Sequence, residues 1–367
     1  MNRILVLEPY YGGSHKYFLD NLAKDMDAEF VFLTLPARKW KMRMQLSAPW
    51  FVACIENMAI QKRSFDTVLC STFVDVVVFK ALTQNISGWN QDVRYCTYFH
   101  ENQFAYPNQS DAPENFQFTS INFNTALASD VIAFNSHFNK NSFLEGCRKF
   151  LKSASDIKLP GCLERIERKC SVIYPGIDFK GADTGRKREN GSKIVTISWN
   201  HRWEHDKNPD EFFDALYKLK KRNIRFNLIV LGESFRYIPD CFNKAKKDFK
   251  DEIVHFGYVE DKAQYYSLLS SADIVVSTAI HEFFGIAVLE AVRCGCFPIL
   301  PKRVSYPELF DEKYFYKDGK LAVRLEHEIR NYKPLIKSEI LRLTEKYSWQ
   351  NVKGDYQRWL TPTVDSL

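Results

Sequence analysis

Residues 4–23, ILVLEPYYGGSHKYFLDNLA, read as a strand at Ile4–Leu7, a glycine-bearing turn at Gly12-Gly13 and a helix at Ser14–Ala23. A short apolar run, a turn and an amphipathic stretch make up the first part of a parallel βαβ unit. The same alternation continues, with strands expected at Phe30–Thr34, Thr67–Cys70, Tyr95–Phe99 and Val131–Phe134 and a helix at Phe138–Phe150. After a polar, charge-dense stretch from Lys180 to Ser192 it starts afresh at Ile194–Ser198. Further strands follow at Phe226–Leu231, Ile253–Phe256, Ile274–Ser277 and Phe297–Leu300. The expectation is an α/β protein of two Rossmann-like, doubly wound domains: residues 1–178, a linker at 179–192, and residues 193–345. The stretch Ser338–Leu360 is helical in pattern and carries Trp349 and Trp359; such aromatics need a surface to cover, so a terminal helix at 346–367 is expected to pack back across the domain boundary onto the first domain.

The bulk properties agree. A chain of 367 residues exceeds what one core usually holds. Its 45% apolar and 26% charged residues are ordinary for a globular protein. No run approaches the roughly 20 apolar residues that span a bilayer, and Met1-Asn2-Arg3 leads straight into a strand rather than a signal peptide, so the expected location is the cytoplasm. The nine cysteines lack paired spacing, which points to reduced thiols rather than a disulfide framework or a zinc site. The net charge of +6 is modest, but Arg38, Lys39, Lys41 and Arg43 interleave with Trp40, and Arg186, Lys187 and Arg188 lie near the middle. A polyanionic partner would use such clusters; a solvated face and a charged linker explain them equally.

Ligands of open α/β sheets collect beyond the carboxyl ends of the strands, where loops lead into helix N-termini. Four segments fall there. Tyr10–His15 follows the first strand; Gly12 and Gly13 allow a tight turn and close approach to a ligand, Ser14 can cap the next helix, and a plain strand-to-helix turn is the alternative. Phe99-His100-Glu101-Asn102-Gln103 ends another strand with four polar residues, where position favours function over a satisfied structural histidine. Trp199–Pro209 opens the second domain, and Arg202 and Lys207 could converge on a diphosphate as guanidinium fork and point charge. A surface ion-pair cluster with Glu204 and Asp206 is the competing explanation.

The fourth segment, Ala279–Ala291, is the most specific. Glu282 precedes a helix start and Glu290 lies within its first turns, so the amides of Phe284, Gly285 and Ile286 can face an anion while the carboxylates accept bonds from vicinal hydroxyls. That combination suits a sugar diphosphate; a glycosidase-like carboxylate pair or a Glu-capped helix are the alternatives.

The Glu282-to-Glu290 spacing, the Arg202/Lys207 pair, Phe256-Gly257-Tyr258-Val259 followed by Tyr265-Tyr266 and Ala272-Asp273, and the stretch Val172–Asp178 together resemble the retaining, GT-B-fold glycosyltransferases of family 4. The resemblance covers most of the chain; His201, where that family usually has glycine, is a departure. In the first half LEPYYGGSHKYFLDNLA, LPARKWKMRM and YFHENQFAYP, with SWNHRWEHDKNP in the second, look like the tRNA-queuosine α-mannosyltransferase branch, which moves mannose from GDP-mannose to queuosine in the anticodon of tRNA-Asp.

The resemblance implies two domains facing across a cleft, with the donor held mainly by the second. Glu290 would bind the ribose, Glu282 the sugar hydroxyls, and Phe284, Gly285 and Ile286 would help. Arg202 and Lys207 would neutralise the diphosphate, Tyr258 and Val259 would lie against the base, His100 would face the sugar, and Gly12-Gly13 would border the acceptor channel. Two cations and helix-terminus amides can replace a metal. Asp25-Met26-Asp27, the one Asp-X-Asp, closes a helix rather than ending a strand, so no metal and no other cofactor is expected. For a tRNA acceptor, Arg38, Lys39, Trp40, Lys41 and Arg43 are the candidates to hold phosphate and stack a base, with Arg148–Lys152 and Arg165–Lys169 extending the track. Two rivals stand beside this: a family 4 enzyme with another donor and a lipid or small-glycan acceptor, and an inactive RNA-binding module on the same fold.

Overall fold

The apolar runs form two separate sheets in which every pairing is parallel. A computed structural model of the chain describes residues 2–106, 116–153, 155–184, 194–234 and 238–361. The first sheet contains β1 (Arg3–Tyr11), β2 (Glu29–Pro36), β3 (Thr67–Ser71), β4 (Arg94–Phe99), β5 (Val131–Phe134) and β6 (Cys170–Val172), in the order β2-β1-β3-β4-β5-β6. The second contains β7 (Thr196–Asn200), β8 (Asn227–Leu231), β9 (Ile253–Gly257), β10 (Ile274–Val276), β11 (Phe297–Pro301) and β12 (Phe315–Tyr316), in the order β12-β11-β10-β7-β8-β9. Strand order reverses between β1 and β3 in one sheet and between β7 and β10 in the other. Those two switch points are where the connections leave to opposite faces and open a crevice for a ligand.

Helices cover both faces of a parallel sheet, so its central strands are apolar on both sides. β3 and β7 are buried along their whole length. In the second half, Trp199, Leu228 and Val230 pack with Phe212, Leu216 and Leu219 of the Pro209–Lys221 helix and with Leu325. Pro209 sits at the start of that helix, where its missing N–H costs nothing.

The chain divides into Met1–Gly176 with Trp349–Leu367, and Ile177–Ser348. The expected linker at 179–192 is therefore not all linker. Lys180–Asp183 is a short helix of the second unit, where Arg293 grips Asp183 at 2.5 Å and Glu345 at 2.6 Å. Arg186, Lys187 and Arg188 lie outside the described residues.

The expected terminal helix is two helices, Lys337–Thr344 and Trp349–Leu360, broken at the extended Ser348. The second presents Trp349, Val352, Tyr356, Trp359 and Leu360 to the first unit's core at helical spacing. Its Tyr356 hydroxyl lies 3.0 Å from that of Tyr98 and donates to the Tyr174 carbonyl at 2.9 Å. Gly176 lets the chain pass under Trp349, because a Cβ there would stand 2.2 Å from the indole. All nine cysteines are free thiols.

Candidate active site

At the switch point of the second sheet, the loop after β7 and the loop after β10 are bound together. Ile280 and His281 donate their amides to the Asp206 carbonyl at 2.9 and 3.2 Å, and the Thr278 hydroxyl donates to the Lys207 carbonyl at 2.8 Å. The buried Lys207 ammonium reaches the His281 carbonyl at 2.7 Å, Asp206 at 3.2 Å and Glu282 at 3.3 Å. Burial works against the charged form of Glu282, but Lys207 outweighs it and holds the carboxyl below its ordinary range. Its other oxygen faces the Phe284 amide at 3.5 Å, a separation at which a hydrogen bond is weak, so Oε1 keeps acceptor capacity.

The expected pairing of Arg202 with Lys207 is only partly what the fold provides. Arg202 is about half exposed and pairs with Glu204 at 3.1 Å, so the competing ion-pair cluster describes its resting contact. Lys207 instead turns inward to Asp206 and Glu282 because its stem is buried under the β10 loop. His201, which precedes Arg202, is 5% exposed, with its ring pushed down to about 4 by burial and then by Lys207.

Gly285 begins the Ile286–Arg293 helix at φ +114, a conformation that glycine adopts without strain. The first amides of that helix have no carbonyl a turn earlier to bond. Glu290 is 4% exposed and accepts from the Tyr265 and Tyr266 hydroxyls, both at 2.9 Å, and from Lys262 at 3.0 Å. Three of the roughly four lone-pair directions of a carboxylate are thereby used, which leaves one for a ligand hydroxyl. Asn200, at the end of β7, donates to the Ala287 carbonyl at 2.7 Å and to Tyr265 at 3.3 Å. Tyr258 is 62% exposed and Val259 half-buried, just beyond β9.

The first sheet's switch point holds a second charged array. Glu8 is fully buried in β1; it accepts from the Tyr10 amide at 2.8 Å and the Ser71 hydroxyl at 3.2 Å, and its other oxygen lies 3.0 Å from His15 Nδ1. His15 Nε2 is 3.5 Å from Glu101. Burial opposes a charge on His15, yet Glu8 and Glu101 raise it to about 10, so the ring is a cation at neutral pH. His100 packs on it with ring centroids 4.1 Å apart, and burial followed by the His15 charge lowers His100 well below its usual value. The sequence singled out His100 but assigned nothing to Glu8, His15 or Glu101. Their signal was position in the sequence: Glu8 and His15 come after the apolar run Ile4–Leu7, and Glu101 after Tyr95–Phe99.

Gly13 adopts φ +51 with open space where a side chain would point, whereas Gly12 lies against Ala37, where a Cβ would come within 2.5 Å. The helix begins at Gly13, so Ser14 lies inside it and does not cap it.

Of the basic segment, Arg38, Lys39 and Lys41 are exposed and Arg43 is half-buried. Lys39 stands at φ 54, leading into the Trp40–Glu56 helix. Trp40 is not the open stacking surface expected, because it is half-buried against Phe118 and Phe73 with centroids at 5.1 and 6.3 Å. Exposed apolar side chains on this helix are instead Met42, Leu46 and Trp50, one above the other at four-residue spacing. Lys169 leaves the proposed track, since it donates to the carbonyls of Leu127 and Ser129 at 2.8 Å.

Two switch-point sites on paired Rossmann-like sheets, one with a carboxylate ahead of a helix start and another inside it, define the class of glycosyltransferases with the GT-B fold. Residues 183–331 match the family of glycosyl transferases group 1. The solved structure of Anabaena Alr3699/HepE in complex with UDP superposes with a TM-score of 0.69 at 14% identity, covering 97% of this chain and 98% of that one. The catalytic domain of starch synthase IV from Arabidopsis thaliana, bound to ADP and acarbose, gives 0.68 at 14% identity over 98% of each.

Residues 3–177 match the family described as tRNA-queuosine alpha-mannosyltransferase N-terminal. A tRNA-queuosine alpha-mannosyltransferase of Drosophila melanogaster is 35% identical over 321 residues, 85% of this chain and 83% of its own length. The chain belongs to the tRNA-queuosine alpha-mannosyltransferase family. A GDP-mannose-dependent alpha-(1-6)-phosphatidylinositol dimannoside mannosyltransferase of Mycobacterium tuberculosis is 29% identical over 149 residues, 39% of this chain and 38% of that protein.

Removing the buried ammonium should strand two carboxylates. Lys207→Met is expected to lower stability by about 3–5 kcal/mol in chemical denaturation, and adding Glu282→Gln to restore part of it. His15 gives a pH signature. Its folded value lies above the ordinary 6.5, so its stabilisation is complete below about 6.5 and fades as pH rises towards about 10. The stability gap between wild type and His15→Gln, followed by thermal melting, should be widest near pH 6 and narrow by pH 10; a gap independent of pH would contradict a cationic His15.

Proposed function

We propose that the protein transfers mannose from GDP-mannose to queuosine at the wobble position of the tRNA-Asp anticodon, with retention of configuration. The observation that carries this reading is the 35% identity, over 85% of the chain, with a relative of that name. The donor chemistry has its own support in the switch-point geometry of the second sheet. Glu290, with one acceptor direction left, takes a ribose hydroxyl. Glu282, ordered by Lys207, takes hydroxyls of the sugar, and Tyr258 and Val259 flank the base. Arg202 and Lys207 supply positive charge near the leaving diphosphate, and the amides of Phe284, Gly285 and Ile286 supply donors.

As the sugar–phosphate bond breaks, negative charge grows on the diphosphate and positive charge on the anomeric carbon. Stabilising the former with fixed cations and amides is the main demand on the protein, which makes a metal unnecessary in this reading. His100 is the residue of the first domain that we assign to the sugar; its ring, kept uncharged by burial and His15, offers a hydrogen bond without adding a cation beside the oxocarbenium-like centre. The acceptor tRNA would be held by Arg38, Lys39, Lys41 and Arg43, with Trp50 in place of Trp40 as the exposed aromatic on the same helix. Among the described residues no helix is long and apolar enough to cross a membrane.

One observation favours a second reading. Met42, Leu46 and Trp50 form an exposed apolar stripe on a helix with a basic start, which also suits a membrane surface and a lipid-borne acceptor. Both readings are decided by incubating the protein with GDP-mannose or UDP-glucose and with queuosine-containing tRNA, queuosine-lacking tRNA or phosphatidylinositol vesicles. Mass analysis of the digested nucleosides and extracted lipids should find a hexose on queuosine alone and from GDP-mannose alone. A hexose on the lipid, or none on any acceptor, would overturn the proposal.

A further inference from the structure

Lys207, the buried cation of the β7 loop, donates to the His281 carbonyl and to Glu282 and forms an ion pair with Asp206 at 3.2 Å. Two carboxylates also offset its charge, so the trio is net negative. A diphosphate arriving there needs directional donors from elsewhere. Arg202 is one, once it leaves Glu204. Beside it, two consecutive residues carry buried polar atoms with no hydrogen-bond partner among the described residues: Asn200 Oδ1 and His201 Nε2.

Such atoms are costly to bury unless something satisfies them, and a ligand is the economical candidate at a switch point. His201 is also held in place. Its ring meets Trp199 edge-on, with centroids 5.1 Å apart, and its carbonyl lies against Gly232, where a Cβ would come within 1.8 Å. The next turn is pinned by the Trp203 amide donating to the Glu233 carbonyl at 2.9 Å. The charged groups that act on the ring are Lys207, Glu282, Asp206 and Arg202, three of which, Lys207, Glu282 and Arg202, are assigned to the donor.

We propose that His201 is a binding residue for the diphosphate of the nucleotide sugar, donating its ring N–H at Nε2 to a phosphate oxygen. The inference rests on the donor reading above and adds to it a residue that the diphosphate contacts directly. Because the imidazole stays uncharged beside Lys207, it contributes direction without cation–cation repulsion. A hydrogen bond from a neutral donor to a phosphate accounts for roughly a tenfold change in affinity.

The test is calorimetric titration of GDP, with guanosine measured by displacement, on the full chain and its variants. His201→Ala should weaken GDP about tenfold and leave guanosine unchanged. Unchanged GDP affinity in a variant that melts with wild type would overturn the inference, and so would equal losses for GDP and guanosine, which mark a role in loop shape only. If His201→Ala does not fold, His201→Gln keeps a neutral N–H donor and should retain GDP binding within about threefold; a folded Gln variant that loses tenfold or more counts against the proposal. Wild-type protein that binds no GDP at all would be failure of the donor reading itself, and the inference would fall with it.

Discussion

One buried ammonium organises the second domain's ligand end. Lys207 lies on the loop after β7 and Glu282 on the loop after β10, and the two loops are also joined by the Ile280 and His281 amides donating to the Asp206 carbonyl and by the Thr278 hydroxyl donating to the Lys207 carbonyl. Burying one cation between two carboxylates is favourable only when its protons are matched, and here the His281 carbonyl and Glu282 accept two of them while Asp206 offsets the charge from 3.2 Å. The position of Glu282 ahead of the Ile286–Arg293 helix follows from that match, and so does the direction of the first amides of the helix. Glu290, one turn further, is fixed separately by two tyrosines and Lys262. Two carboxylates in one segment thus receive two environments, one held by a buried cation and one by phenols.

The first domain solves a similar problem with different chemistry. Glu8 and Glu101 hold His15 as a cation, and burial, reinforced by that cation, keeps the neighbouring His100 uncharged. A histidine meant to donate or accept one hydrogen bond near a developing positive centre benefits from being neutral, and a second histidine is an effective way to enforce it. The array sits where β1 and β3 diverge, the same topological place as the Lys207 site in the other sheet.

Much of this was legible in the chain. Ten of the twelve strands announced themselves as apolar runs; β6 (Cys170–Val172) and β12 (Phe315–Tyr316) did not, because three and two residues are too few to show a period. The segments Trp199–Pro209 and Ala279–Ala291 could be recognised as ligand loops from their position after strands. What the chain could not show was pairing at long separation. Nothing local joins Lys207 to Glu282, 75 residues apart, or separates it from Arg202, five residues away by number, which the fold turns outward to Glu204. Trp40 misled for a related reason: a tryptophan among basic residues reads as exposed, yet Phe118 and Phe73 claim it once the domain is built.

We place the donor chemistry at the switch point of the second sheet, between β7 and β10. Hydrogen exchange with and without GDP-mannose, read by peptide mass spectrometry, addresses it directly. Slowed exchange in peptides covering residues 200–208 and 282–290 is the predicted result. Protection confined to the first domain, with those two segments unchanged at saturating donor, would contradict it.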